Sequence, residues 1–361
     1  MRVAGTPYIE WAKLRKGRWN LSTSGMPHAT LDDIGVAPSE IPLTGDNAYG
    51  YPPLLERIAA VRGVDSSRVV TATGCSMACF LALAAIVEPG DEVLIERPTY
   101  EPLLRAALHL GARVTRFDRP PSRAFAIDPA EVAALIAPTT RAIVLANLHN
   151  PSSQAVDQEA LCRIGDAAEA VGARVLVDEV YLDAIFDAPP PSCVHLGPAF
   201  VSTGSLTKIY GLAALRCGWV IADQPLVSRI WRLNDLYENS RPFAPDWLAA
   251  AAFDHLPALR ARSRALLDSN RQRFAAWAAG RTDLAIAVPA WGTTVCARPT
   301  AIDANLLCDA LRTHYDVTVV PGRFFELPDH IRIGLCVEPD VLDEGLTRVT
   351  QCLDGSPSDS S

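Results

Sequence analysis

The chain has 361 residues, 49% of them hydrophobic, enough to bury a large core and to divide into more than one structural unit. Its net charge of -8 argues against an extended nucleic-acid footprint, which requires clustered Lys and Arg. No run of about eighteen apolar residues reads as a membrane span, and Met1 to Pro7 lack the apolar core of a secretory signal, so no membrane partner is expected and the cytoplasm is the expected compartment.

The nine cysteines are scattered, with Cys75 and Cys79 one helical turn apart and no CxxC pair, as for small buried hydrophobes in a reducing compartment. The seven histidines do not fall at ligand spacing with cysteines or carboxylates, so no metal is expected.

In chain order, short β-rich runs are expected at 68–71, 92–95, 113–115, 142–145, 174–177, 199–202 and 218–221, separated mostly by Ala/Leu-rich helical stretches. Several runs are continuously apolar rather than alternating, the pattern of strands covered by helices on both faces of a mainly parallel sheet. After Pro225 the pattern is helical to about Gly280, with a break at Arg241-Pro242-Phe243. A smaller unit follows, with strands near 285–288, 294–297, Val319 and 331–335, a helix at 306–314 and a closing helix. The Asp354-Gly355-Ser356-Pro357-Ser358 tail is expected to be disordered.

The residues with chemical potential cluster at the ends of these runs. Lys208 closes Ser202-Thr203-Gly204-Ser205-Leu206-Thr207-Lys208 and is followed by Gly211, Arg216 and Gly218. Loops at the carboxyl ends of parallel strands are where such sheets build sites, although a lone lysine is more often a solvated charge. Asp178 and Tyr181 follow the apolar run at Val175-Leu176-Val177, where a buried carboxylate needs a cap, an arginine or another cationic partner. Gly74-Cys75-Ser76-Met77 joins a strand to a helix: the glycine permits a tight turn and the free amides of the helix start favour an anion such as phosphate. Asn150-Pro151 is equally a common turn element, and Tyr100 equally a packing residue.

Taken jointly, Gly74-Cys75-Ser76, Pro98-Thr99-Tyr100, Asn150-Pro151, Asp178 with Tyr181, Ser205-Leu206-Thr207-Lys208, Arg216 and Arg332 resemble the class I/II aminotransferases of pyridoxal-5′-phosphate (PLP) fold type I, in family order across almost the whole chain. The resemblance implies an α/β fold: a large domain with a mainly parallel seven-stranded sheet between helices, and a smaller α+β domain formed by the N-terminal segment and the C-terminal part. It implies a division into 1–40, 41–265, 266–353 and the tail 354–361. It implies that Lys208 holds PLP as a Schiff base and shuttles a proton at the substrate Cα. Asp178 would keep the pyridine nitrogen protonated, Tyr181 and Asn150 would bond the ring's phenolate oxygen, and Tyr100 would stack on the ring. Gly74, Cys75, Ser76, Ser205 and Arg216 would hold the phosphate.

On the substrate side, the resemblance makes Arg332 the bidentate partner of the α-carboxylate, with Asn150 beside it and Gly25, in Leu21-Ser22-Thr23-Ser24-Gly25-Met26-Pro27, lining the pocket. Asn47-Ala48-Tyr49-Gly50-Tyr51-Pro52 resembles the segment that reaches a neighbouring subunit's phosphate, with Tyr49 preferred over Tyr51, so a homodimer sharing its sites is expected. Two departures, Ser152-Ser153-Gln154 after Asn150-Pro151 and Thr207 before the lysine, leave every catalytic group in place.

The expected reaction moves an amino group from an L-amino acid to a 2-oxo acid. The alternative is another PLP reaction on an amino acid: β/γ-elimination, decarboxylation, or a cyclase or oxidase step such as those that make arginine-derived amino acids. A transcriptional regulator with a leading helix-turn-helix is disfavoured because the match begins within the first few tens of residues, and a dead scaffold because Lys208 is retained. Arg18, Arg241 and Arg323 are candidates for a distal carboxylate, and Phe243, Phe324 and Phe325 for an apolar side chain.

Overall fold

The computed structural model describes residues 5–14 and 16–355. In chain order it contains α1 (Pro7–Ala12), β1 (Trp19–Asn20), α2 (Pro52–Arg62), β2 (Val69–Thr73), α3 (Cys75–Ile86), β3 (Glu92–Arg97), α4 (Glu101–His109), β4 (Arg113–Asp118), α5 (Pro129–Leu135), β5 (Thr140–Ala146), α6 (Gln158–Glu169), β6 (Arg174–Asp178), β7 (Phe200–Ser205) and β8 (Cys217–Ile221). There follow α7 (Gln224–Asn234), α8 (Phe243–Phe253), α9 (Leu256–Ala278), β9 (Leu284–Ile286), β10 (Thr294–Pro299), α10 (Ala304–His314), β11 (Val317–Thr318), β12 (Val320–Pro321), β13 (Ile331–Gly334) and α11 (Pro339–Leu353).

The seven strands expected between residues 68 and 221 form one seven-stranded sheet, ordered β2-β8-β7-β6-β5-β3-β4. β7-β6-β5-β3-β4 run parallel, while β8 is antiparallel to both β2 and β7. Residues Ala142 to Ala146, Val175 to Asp178 and all of β8 are buried, which is why their runs show no polar alternation. Helix α3 lies across β2, β6, β7 and β8, burying Ala78, Leu81, Ala82 and Leu83, and α6 packs on β6. Each fully buried leucine on α3 contributes about 1.5–3 kcal/mol.

The second sheet is antiparallel, ordered β12-β13-β10-β9, and α11 packs against α9 and α10. The N-terminal segment joins this side of the molecule: β1 pairs in parallel with β11, and Gly334 N–H donates to Leu21 O at 2.7 Å. A Cβ on Gly334 would come within 1.9 Å of Thr23 O, so only glycine lets residues 21–23 cross β13 this closely.

Local details differ from the sequence expectations for identifiable reasons. The helical stretch after Pro225 breaks twice, the second time at Asp254-His255, where Pro257 in the first turn of α9 cannot extend α8. Strand β1 is two residues long, too short to show any period. Asp354 caps α11, and residues 356–361 of the expected tail lie outside the described residues. Among the described residues no helix is long and apolar enough to cross a membrane.

Candidate active site

The carboxyl ends of β2, β5 and β6 and the segments flanking β8 open into a cavity of ≈ 860 Å³. Asp178 ends β6, Ala146 ends β5, and the turn at Gly74 leads from β2 into α3. Because β8 runs against its neighbours, Arg216 immediately before it arrives at the same edge. The sequence spreads these groups from position 74 to position 216, and the sheet brings them to one wall.

Gly74 has φ +82, and a Cβ there would stand 2.1 Å from Arg216 Nη2. A Cβ on Gly218 would strike the Gly74 carbonyl carbon at 2.3 Å, so both glycines are required for the strand-to-helix turn to lie against the guanidinium. The first bond of α3 runs from Ala78 N to Gly74 O (3.1 Å), leaving the amides of Cys75, Ser76 and Met77 without intrahelical acceptors. Arg216 sits exposed at φ +48 with only long contacts, to Ala213 O (3.5 Å) and Thr73 O (3.4 Å). Three free amides at a helix start beside an unpaired guanidinium make a seat for a phosphate.

Asp178 is 6% exposed and accepts from Cys75 Sγ (3.2 Å) and Val180 N (3.1 Å). Burial pushes its carboxyl above the usual range, against the lowering by these two donors and by Lys208. A cationic ring nitrogen is the partner that would relieve this desolvation. The Cys75 and Cys79 sulfurs and an Asp178 oxygen lie within 4.8 Å of one another at the cavity wall, and Cys79 Sγ lies 3.2 Å from Thr203 Oγ1.

Lys208 reaches into the cavity, where Nζ donates to Ser24 Oγ at 3.0 Å, and Tyr181 donates its hydroxyl to the same Oγ at 2.8 Å. Burial depresses the ammonium, but the neighbouring Tyr181 and Tyr8 phenols outweigh it and hold its pKa above the ordinary lysine value. The chain has three lysines, Lys13, Lys16 and Lys208, and only Lys208 lines this cavity. Met26 N–H donates to Lys208 O at 2.8 Å, which fixes residues 24–27 beside the lysine. A Cβ on Gly25 would lie 3.5 Å from Lys208 Cδ.

Arg332 is 1% exposed on β13. Its Nη1 donates to Asn150 Oδ1 (3.0 Å), and its Nη2 donates to Ser22 O (2.9 Å) and to the Tyr8 hydroxyl (3.1 Å). Its Nε has no partner among the described residues. Asn150, 6% exposed, thus presents its carbonyl to Arg332 and retains its amide donors. Tyr100 lines the cavity edge-on to Tyr8, at 5.8 Å between ring centroids, and burial pushes its phenol up.

Four expected residues stand outside the cavity lining: Gly74, whose turn leads into α3, Arg332, which meets the lining through Asn150 and Tyr8, Ser205 and Tyr49. Ser205 is buried behind Thr207, with their hydroxyls 2.6 Å apart, and it is Thr207 that faces the cavity. Tyr49 is 59% exposed and packs edge-on against Trp231, while Tyr51 packs on Phe243. Of the three distal candidates, Arg18 lines the cavity, Arg241 is bound to buried Asp246 at 2.9 Å, and exposed Arg323 bonds half-buried Asn305. Phe325 stacks against Arg332 rather than opening to the cavity. Sequence reasoning missed Tyr8 and Ser24. Tyr8 carries no local signal, whereas Ser24 stood inside the segment singled out for Gly25.

Behind the cavity, fully buried Glu96 pairs with Arg119 at 2.6 Å. Glu96 accepts from Ala146 N (2.8 Å) and Arg119 donates to Ala146 O (3.3 Å), so the pair grips both sides of the last residue of β5.

The phosphate seat, the buried carboxylate and the reachable lysine fit PLP. The family model for aminotransferase class I and II matches residues 38–349. Capreomycidine synthase of Streptomyces vinaceus is 32% identical, covering 97% of this chain and 94% of its own, and arginine–pyruvate transaminase AruH of Pseudomonas aeruginosa is 29% identical, covering 86% and 83%. A PLP-dependent aminotransferase of Streptococcus suis superposes with a TM-score of 0.92 at 24% identity over all of both chains. The chain accordingly belongs to the class I and II aminotransferase family, with the aspartate-aminotransferase-like fold of type I and PLP as its cofactor.

Proposed function

We propose that this enzyme transfers the amino group of an L-amino acid to a 2-oxo acid, with Lys208 as the residue that would bind PLP and move the proton at the substrate Cα. The observation that carries the reading is the convergence of Lys208, buried Asp178 and Asn150 on one cavity, with Arg332 bonded to Asn150 directly behind the lining. When bound, PLP supplies an electron sink that lowers the barrier to removing the Cα proton. Asp178 would hold the proton on the ring nitrogen. Gly74, Cys75, Ser76 and Arg216 seat the phosphate, with Ser205 acting through Thr207. Tyr181 and the Asn150 amide would hydrogen-bond the ring's phenolate oxygen, and Tyr100 would stack on the ring. Arg332, buried and with Nε unpaired, takes the substrate α-carboxylate and so sets the Cα–H bond across the ring, with Gly25 keeping that side open.

The same reading takes 41–265 as the cofactor-binding unit and 1–40 with 266–353 as the unit that closes on the substrate. Exposed Tyr49 and exposed Leu43, in the same loop region before α2, support a homodimer in which Tyr49 reaches the partner's phosphate. Nine unpaired cysteines support the cytoplasm as its compartment.

A second reading, a cyclase acting on an amino acid, is favoured by one finding, the 32% identity to capreomycidine synthase along 97% of the chain. The two are separated with an isotope. With a panel of 15N-labelled amino acids and a 2-oxo acid acceptor, transamination delivers the label into the amino acid formed from the acceptor. Retention of the label in a cyclised product would replace the first reading with the second.

A further inference from the structure

Helix α1 is an outer wall of the cavity, contributed by Thr6, Tyr8, Ile9 and Ala12. Tyr8 is held from both sides. Its backbone N–H donates to Glu101 Oε2 at 2.7 Å, at the start of α4, and its hydroxyl accepts from Arg332 Nη2 at 3.1 Å, on β13 of the second sheet. The ring is packed between Trp11, Tyr100, Phe324 and Phe325, with centroid distances of 5.4–6.5 Å. One residue therefore ties the N-terminal helix to α4 and to β13, and its hydroxyl sits on the guanidinium proposed to take the α-carboxylate.

The hydrogen-bond inventory of Arg332 makes this contact informative. A carboxylate binds a guanidinium through two parallel N–H groups, either Nε with Nη2 or Nη1 with Nη2. Both edges use Nη2, whose two bonds run to Ser22 O and to the Tyr8 hydroxyl. Ser22 O is backbone in a segment pinned by Gly334 N and Met26 N, whereas the Tyr8 O–H is a rotor. An arriving carboxylate oxygen thus meets the phenol first. Buried between a guanidinium and an anion, the phenol has one productive option, to donate its proton to that oxygen.

We infer that Tyr8 is a substrate-binding residue: its hydroxyl, which accepts from Arg332 in the structure, donates to the substrate α-carboxylate when that carboxylate is seated on Arg332. This rests on the reading of Arg332 given above. It assigns to α1 a direct part in substrate capture, because the bound carboxylate is then gripped from β13 and α1 together. Burial pushes the phenol up while Arg332 and Lys208 outweigh it and hold it below the usual tyrosine range, which makes the O–H a stronger donor.

The test is Tyr8→Phe in the holoenzyme, which keeps the ring packing and removes only the donor. KM for the amino donor and for its 2-oxo acid is expected to rise roughly 10- to 100-fold with kcat changed far less, as for loss of a hydrogen bond to a charged group. Cofactor absorbance is expected to be unchanged. Spectral titration with propionate, a carboxylate without an amino group, is expected to weaken in parallel, while titration with propionamide is unaffected. 4-Aminophenylalanine at position 8, which restores a donor, should recover KM, and 4-methylphenylalanine should not; this pair also serves if the phenylalanine variant does not accumulate. Unchanged KM and unchanged propionate affinity, or a loss confined to kcat, would overturn the assignment. If Arg332→Met also leaves KM unchanged, the carboxylate seat itself is misplaced; if Arg332→Met raises KM and Tyr8→Phe does not, only the role of Tyr8 falls.

Discussion

The inner and outer halves of the cavity are built in different ways. The inner half, with Asp178, Gly74, Arg216 and Lys208, stands on the ends of buried strands and on the first turn of α3, and β6, β7 and β8 are tied by continuous ladders. The outer half is assembled from three separate stretches, α1, residues 18–28 and 336–341, held by a few bonds such as Met26 N to Lys208 O and Tyr8 N to Glu101. A rigid floor suits chemistry common to many substrates, because the reacting groups must stay within tenths of an ångström. A wall of short segments can change without disturbing the sheet, which suits selectivity.

This contrast predicts that floor substitutions strike turnover and wall substitutions strike KM. The largest effect is expected for Lys208→Ala, with a fall in kcat on the order of 10⁴-fold or more and no covalently retained cofactor after denaturation, read by steady-state rates and intact mass. Asp178→Asn should keep the cofactor but lose roughly 10²–10³ in kcat, since the ring nitrogen then lacks its anionic partner. Arg332→Met should raise KM for amino acids on the order of 10²-fold through loss of a charged pair, with kcat falling less. A kcat loss equal to that of Lys208→Ala would erase the distinction between floor and wall.

The smallest effect concerns pH. Burial raises Asp178 in the folded, cofactor-free protein, so folding favours its protonated form. That stabilisation is complete below the ordinary Asp range and is lost as pH rises through the raised folded value. Melting temperatures of cofactor-free wild type should therefore decline with pH relative to Asp178→Asn. Parallel curves for the two proteins would show that the carboxyl is not desolvated.

The floor was legible in the sequence because its residues sit at fixed offsets from apolar runs: Asp178 directly after Val175-Leu176-Val177, Gly74 directly after Val69 to Thr73, and Arg216 directly before Cys217. A strand's end is a local event, so its side chains carry a local signature. The wall was not. Tyr8 reads as one aromatic in a six-residue helix, and its meaning depends on Arg332, which lies 324 positions away. Arg241 illustrates the reverse error of proximity: it lies in a loop near the cavity but turns to Asp246, a residue whose burial no sequence period announces. Ser205 was named because the family resemblance puts a phosphate ligand at that position, whereas in the fold it closes β7 and is buried, and Thr207, beyond the strand, lines the cavity.

The central claim is that Lys208 holds the cofactor, and three lysines make it unusually direct to test. Borohydride reduction of the holoenzyme followed by peptide mass mapping should place the phosphopyridoxyl mass on Lys208 and nowhere else. Recovery of that mass on Lys13 or Lys16 would contradict the account.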